Sequence, residues 1–157
     1  PIAASGIQPL KPDVLTHLPA ALEPARQASS QLARLADAFE KIAPRLAWKV
    51  RPSGGPHASE NWQAGHANAM VVGQGGLREQ PGIMIGATLM APNVRYPDHN
   101  HAPEEVYIAL TEGRFQHGDD DWVTPGIGGT FHNTPSIKHA MASSDKPFLA
   151  MWSLIDR

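Results

Sequence analysis

The chain has 157 residues, no cysteine and a formal net charge of −2, with 41% apolar and 18% charged residues. That is the size of one domain and the balance of a folded globular protein, which argues against a mostly disordered chain. It excludes a disulfide framework, a thiol nucleophile and a thiolate metal site, so any metal must be held by imidazole, carboxylate or phenolate groups. With a pI near 6.5 and no basic stripe, there is no electrostatic footprint for nucleic acid or an anionic membrane, and a small-molecule partner is expected. No run of about 18 apolar residues could span a bilayer, and the opening PIAASGIQPL lacks the regions of a signal peptide. A cytoplasmic location is therefore the expectation. The first residue is proline, which suggests a trimmed terminus.

Residues 12 to 44 read as helical. Leu32, Leu35, Ala36, Phe39 and Ile42 recur at three- and four-residue spacing, while Arg34, Asp37, Glu40 and Lys41 fill the other face. Pro24 is placed as an opening residue of the main helix and Pro44 at its end, with Pro12 and Pro19 bounding a shorter piece before it. From Leu46 the texture changes to short apolar runs separated by Gly, Pro, Asn and Asp. Strands are expected at 46–50, 69–73, 82–90, 104–111, 113–117, 121–124, 129–132, 137–142 and 147–154, the spacing of an antiparallel sandwich or barrel. The stretch 52–68, rich in loop formers, reads as a flap near the barrel mouth. The organisation expected is a helical extension over 1–45 and a β-barrel over 46–157, together one structural domain.

The chemistry concentrates in YPDHNHAPEEVYIALTEG, Tyr96 to Gly113. His99, His101, Glu105 and Tyr107 share parity and face one side in extended backbone. Pro103 bends the chain, so the histidines sit on a strand end or loop and Glu105 begins the next strand. In that strand Glu105, Tyr107 and Ala109 point one way, and Val106, Ile108 and Leu110 the other. The polar face is then the barrel interior, and the apolar face is expected to be covered by the N-terminal helices. Imidazoles, a carboxylate and a phenol are costly to bury together unless paired or bound to an ion, and a divalent metal is the simplest remedy. Such a site would keep positions open for substrate.

These residues resemble the cupin superfamily, whose first motif runs G-x5-H-x-H-x3-4-E-x6-G and whose second runs G-x5-P-x-G-x2-H-x3-N. The first is matched by His99, His101, Glu105 and Gly113, with Asn93 at the leading glycine and one extra residue before Gly113. Asn tolerates left-handed backbone almost as glycine does. In the second, Gly128 and His139 match, while Thr134, Ser136 and Ser143 replace the proline, glycine and asparagine. His132 competes with His139 as the late ligand. The fold implied is a single cupin (double-stranded β-helix, jelly-roll) barrel, mainly β, with an N-terminal helical extension; cupins often pair, so a homodimer is a further expectation.

More narrowly, DHNHAPEEVY with a late IKHAMAS is similar to the cupin-type dimethylsulfoniopropionate (DMSP) lyases of marine bacteria, over roughly Ile83 to Ile155. The resemblance implies one divalent metal (Zn, Fe or Mn) on His101, Glu105 and His139, with Tyr107 at or on the metal. It also implies that Tyr96 and His99 line the same pocket; generic cupins would use His99 as a ligand, and its role stays open. The implied reaction is a β-elimination of a small substrate bearing a carboxylate, giving acrylate and dimethyl sulfide. It needs a base and an anion sink. A metal on the substrate carboxylate would be the sink. Tyr107 and Tyr96, the chain's two tyrosines, are the catalytic candidates. A phenol with pKa about 10 would have to fall by roughly 3, costing about 4 kcal/mol, which metal proximity can supply, and Tyr107 is placed to receive it.

A sulfonium cation would be drawn to aromatic faces, available in Trp48, Trp62, Trp122, Trp152 and Phe131. Trp152 on the last strand and Trp62 in the flap are the expected wall residues. His57 and His66 read as solvated loop residues, His17 and His117 as surface residues. The rival readings are a cupin dioxygenase or isomerase acting on another small carboxylate, a non-catalytic cupin that binds a small ligand, and a closed structural metal site.

Overall fold

The computed structural model describes residues 11–155; of the expected helical extension, residues 1–10 lie outside that range. A 3-10 turn, Asp13–His17, leads into helix α1, Leu18–Ala28, and helix α2, Ser30–Ile42, followed by a second 3-10 turn, Ala43–Arg45. Ser29 separates the helices. Its backbone is extended, and its side chain caps α2 by accepting from the Leu32 N–H. Pro24, expected to open the long helix, lies inside α1 instead, and Pro19 occupies the first turn, where a missing N–H is harmless. Arg26 in α1 bonds Glu23 and reaches across to Asp37 and Glu40 of α2 at 2.8 and 2.5 Å, fixing the helix pair.

Eight strands follow: β1 His66–Val72, β2 Ile83–Met90, β3 Arg95–His99, β4 Glu104–Ala109, β5 Arg114–His117, β6 Thr130–Asn133, β7 His139–Ala142 and β8 Phe148–Ile155. They form a five-stranded sheet, β1-β2-β8-β4-β6, and a three-stranded sheet, β3-β7-β5, with every pairing antiparallel. Seven of the nine expected strands appear, within three residues at each end. Segments 46–50 and 121–124 form only isolated bridges, Lys49 with Asn68 and Val123 with Phe115. The strand β3 was expected only as a strand end or loop, because RYPDH has no alternation of apolar and polar residues to show it.

Two apolar clusters divide the interior. One joins Leu22, Ala25 and Phe39 of the helices to Ala67, Ala69, Ala87, Leu89 and Leu149 on the outer face of β1, β2 and β8. Full burial of each leucine or phenylalanine stabilises the fold by roughly 1.5–3 kcal/mol. The helices thus cover a different part of the sheet from the one expected. Of the outward-facing residues around β4, Leu110 joins this cluster, while Val106 and Ile108 remain half-buried outside it. The second cluster lies between the sheets and contains Met90, Tyr96, Tyr107, Ala109, Phe115, Phe131, Met141, Phe148 and Ala150. It forms the floor under the polar residues at one end.

The segment 51–65 is pinned to β3. Ser59 exchanges hydrogen bonds with the Arg95 backbone, the Asp98 N–H donates to the Pro56 carbonyl, and His57 meets Asp98 at 2.8 Å. His66 is not a solvated loop residue. It is fully buried at the start of β1, stacked on Trp62 with centroids 4.2 Å apart, and hydrogen-bonded to the Trp62 carbonyl and the Arg51 N–H.

Gly86 lets the Trp152 indole lie across β2, since a Cβ there would stand 2.2 Å from the ring. Gly86→Ala should destabilise the protein by about 2 kcal/mol through overpacking and alter tryptophan fluorescence; urea denaturation read by that fluorescence measures both.

Candidate metal centre

Strand pairing assembles the site in two facing rows. Across the small sheet His99, His139 and His117 stand in register, and across the large one Leu154, Glu105 and Asn133. His101 enters from the turn between β3 and β4, and its carbonyl accepts from the Ser136 N–H, which ties that turn to the one before β7. Suitable ligand atoms of His101, Glu105 and His139 lie within 4.8 Å of one another, a grouping that makes these three capable of holding a cation.

The hydrogen bonds show why a cation suits them. Nδ1 of His101 lies 2.9 Å from the Pro103 carbonyl and Nδ1 of His139 lies 2.9 Å from the Ile137 carbonyl. A carbonyl oxygen only accepts, so both Nδ1 atoms carry the proton and the neutral rings present bare Nε2 lone pairs. Those Nε2 atoms stand 3.0 and 3.1 Å from the same atom, Glu105 Oε2. The His139 Nε2 is buried and makes no hydrogen bond. Three acceptors facing one another need a positive charge between them, and imidazole with carboxylate is a donor set for a borderline divalent ion.

Asn133, which the sequence reading passed over, steadies this set. Fully buried, it donates from Nδ2 to Glu105 Oε2 at 2.9 Å, while its Oδ1 meets His117 Nε2 at 2.8 Å. His117 is therefore no surface residue; half-buried, it packs against Phe131 with centroids 4.3 Å apart. Burial alone would raise the Glu105 carboxyl, but His101, His139 and Asn133 outweigh it and hold the group at about 2. Glu105 in turn raises His101 above the ordinary imidazole value.

His99 lies beside the cluster, its ring 4.2 Å from that of His139 and its Nδ1 donating to the Pro97 carbonyl at 2.8 Å. Burial, with a further push from His139, lowers it to about 4, so it is neutral at physiological pH. His132 is out of the site: it lies on the outer face of β6, exposed, with Nε2 on Glu104 at 2.7 Å.

A cavity of about 150 Å3 opens over the cluster, lined by His99, His101 and Glu105, by both tyrosines, by Asn68, Thr88 and Trp152, and by Met141 and Leu154. It is below the roughly 300–1,000 Å3 of drug-sized ligand sites and fits a small substrate. Tyr96 and Tyr107 enter it from opposite sheets. Burial and then the Glu105 charge push the Tyr107 phenol well above its ordinary value, so the protein groups alone keep it protonated. Of the two aromatic walls expected, Trp152 lines the cavity, whereas Trp62 lies buried behind Tyr96, edge-on to it with centroids 5.6 Å apart.

This two-sheet fold, with its metal-capable residues on facing strands and an adjoining turn, is that of the cupins. It matches a cupin-2 domain protein, Rru_A2000 from Rhodospirillum rubrum, at 9% identity over 73% of this chain and 72% of that one, with a TM-score of 0.56. The family model for dimethylsulfoniopropionate lyase matches residues 4–150, and the chain belongs to that family. Among solved structures it is similar to DMSP lyase DddQ from Ruegeria pomeroyi DSS-3, at 20% identity over 87% of this chain and 71% of that one (TM-score 0.72). It is also similar to a chain from a study of the DMSP lyases RdDddP and RnDddQII, at 17% identity over 91% and 92% of the two chains (TM-score 0.67). No curated protein sequence matches it.

Two outcomes test the centre. Asn133→Leu, which removes the donor to Glu105, should lower affinity for a divalent metal about 10- to 100-fold in protein that stays folded, measured by competition with a chromophoric chelator. In wild-type protein, affinity should fall at least about tenfold per pH unit below the raised His101 value, because that ring must lose its proton before Nε2 can bind an ion. Affinity independent of pH in that range would contradict the assignment.

Proposed function

We propose that the chain is a metal-dependent carbon–sulfur lyase that cleaves DMSP by β-elimination to dimethyl sulfide and acrylate. Family membership supports the substrate, and the observation that carries the chemistry is the pair of bare Nε2 lone pairs on Glu105 Oε2, in one small cavity with both tyrosines. His101, Glu105 and His139 would hold zinc, iron or manganese, with Tyr107 close enough to the cluster to join it and His99 beside it. A metal bound there supplies a Lewis acid for the substrate carboxylate and the charge that develops next to it.

The chain's own groups do the rest. A tyrosine oxygen that has first given its own proton to solvent takes the proton from the carbon next to the carboxylate; the carbon–carbon double bond forms, the β-carbon to sulfur bond breaks, its electron pair leaves on sulfur as neutral dimethyl sulfide, and the acquired proton returns to solvent before the next turnover. We assign that base to Tyr96, which enters the cavity from the sheet opposite Glu105 and accepts a hydrogen bond from Asn68 Nδ2 at 3.0 Å, leaving Tyr107 beside Glu105 to the metal. Tyr107, one pleat from Glu105 and opposite Trp152 in the strand pairing, shapes the floor under the substrate. The Trp152 indole offers its face to the dimethylsulfonium group.

Headspace gas chromatography of protein incubated with DMSP, as isolated, after chelation and after reloading with zinc, iron or manganese, tests this reading. Dimethyl sulfide should appear only with metal, and Tyr96→Phe should reduce turnover at least about 100-fold while retaining metal, with a smaller loss in Tyr107→Phe, which leaves the base in place. Folded, metal-loaded protein that releases no gas would remove the lyase reading.

A further inference from the structure

Four polar groups in the cavity wall form a single chain. The Trp152 Nε1–H donates to Thr88 Oγ1 at 3.2 Å, the Thr88 hydroxyl donates to Asn68 Oδ1 at 2.6 Å, and Asn68 Nδ2 donates to the Tyr96 oxygen at 3.0 Å. The direction follows from chemistry. An indole nitrogen can only donate, so Thr88 accepts at that end. A separation of 2.6 Å falls within the range of O–H···O bonds and below that of N–H···O bonds, which puts the oxygen of the Asn68 amide toward Thr88 and its NH2 toward Tyr96. The backbone holds the members in place: Asn68 and Thr88 are direct cross-strand partners on β1 and β2, and Asn68 is also bridged through its own backbone to Lys49. Thr88 and Tyr96 are buried.

We propose that Trp152, Thr88 and Asn68 form a one-way hydrogen-bond chain that fixes Tyr96 as the proton-accepting group of the cavity, with Asn68 and Thr88 as positioning residues. Asn68 offers the phenol oxygen a donor and no acceptor. The Tyr96 proton therefore sits on the cavity side, from which it leaves to solvent before substrate binds and where the substrate proton takes its place, and the oxygen keeps one fixed hydrogen bond in both states. Thr88 prevents the Asn68 amide from turning over, since a reversed amide would present Oδ1 to Tyr96 and draw its proton away from the substrate. The inference rests on the lyase reading for its kinetic consequence, and on hydrogen-bond geometry alone for its polarity.

The two can fail separately. Asn68→Asp keeps the shape and places an oxygen where the donor stood, so kcat for DMSP should fall about 100-fold with KM within about threefold. Thr88→Val should lower kcat about tenfold, and Thr88→Ser, which retains the hydroxyl, should restore it to within about twofold. In a Tyr96→Phe background Asn68→Asp should have no further effect, as coupled groups require. The second readout needs no turnover. In Tyr107→Phe protein Tyr96 is the sole tyrosine, and the intensity ratio of the tyrosine Fermi doublet in the Raman spectrum separates an accepting phenol from a donating one. It should report acceptance with Asn68 and donation with Asp at that position. Unchanged kcat in Asn68→Asp and Thr88→Val, with active wild type, overturns the positioning role. A Raman ratio indifferent to the substitution overturns the polarity, and wild type that releases no dimethyl sulfide removes the lyase reading while the Raman result still decides the chain's direction.

Discussion

The constraint on which the site depends is a set of short hydrogen bonds from imidazole to backbone. His99, His101 and His139 each donate from Nδ1 to a carbonyl two residues away, at Pro97, Pro103 and Ile137. Each bond fixes both the tautomer and the tilt of its ring, so no distant side chain is needed to aim the Nε2 lone pairs. Two of the three carbonyls belong to prolines, whose locked φ stiffens the segment that carries the histidine. With the rings set locally, the larger fold has only to bring Glu105 opposite them.

That is the work of the strand pairing. Glu105 stands on the five-stranded sheet, His139 on the three-stranded one, and the aromatic and aliphatic layer of Tyr107, Phe115, Phe131, Met141 and Phe148 fixes the separation between them. Close packing of that layer transmits any change of volume to the His101, Glu105 and His139 cluster above it. The same layer keeps the carboxylate dry, and Glu105 stays ionised there because imidazole and amide groups surround its oxygen. The helices stabilise the sheet from its far side and contribute no residue to the cavity.

Much of this was legible in the sequence. His101, Glu105 and Tyr107 were visible from parity within a short stretch, and the amphipathic run around Phe39 from its spacing, because both patterns are local. The metal-capable trio of His101, Glu105 and His139 comes together as the resemblance to the lyases implied. What escaped depends on which strands become neighbours. Nothing local shows that Asn133 will stand opposite Glu105, that His117 will reach it from the other sheet, or that Asn68 and Thr88 will be cross-strand partners beneath Tyr96. His66 escaped for a related reason: its loop-like flank gave no sign that a strand begins there and that Trp62 would fold back over the ring. Ser29 was hidden by the stronger punctuation of Pro24 five residues earlier.

The turns that frame the site have a consequence for how such proteins are detected. Asn93, Gly128 and Ser136 occupy three of the four places where the cupin patterns write glycine, Gly113 being the fourth, and these three have positive φ, at 59, 81 and 63 degrees. At these three places what is kept is a torsion, which glycine adopts freely and which asparagine and serine adopt here under the pressure of their surroundings. Asn93 donates its N–H to the Ser144 carbonyl at 2.7 Å, and Ser136 donates its own to His101. A rigid letter pattern fails at Asn93 and Ser136, whereas one written in backbone handedness would accept all three positions.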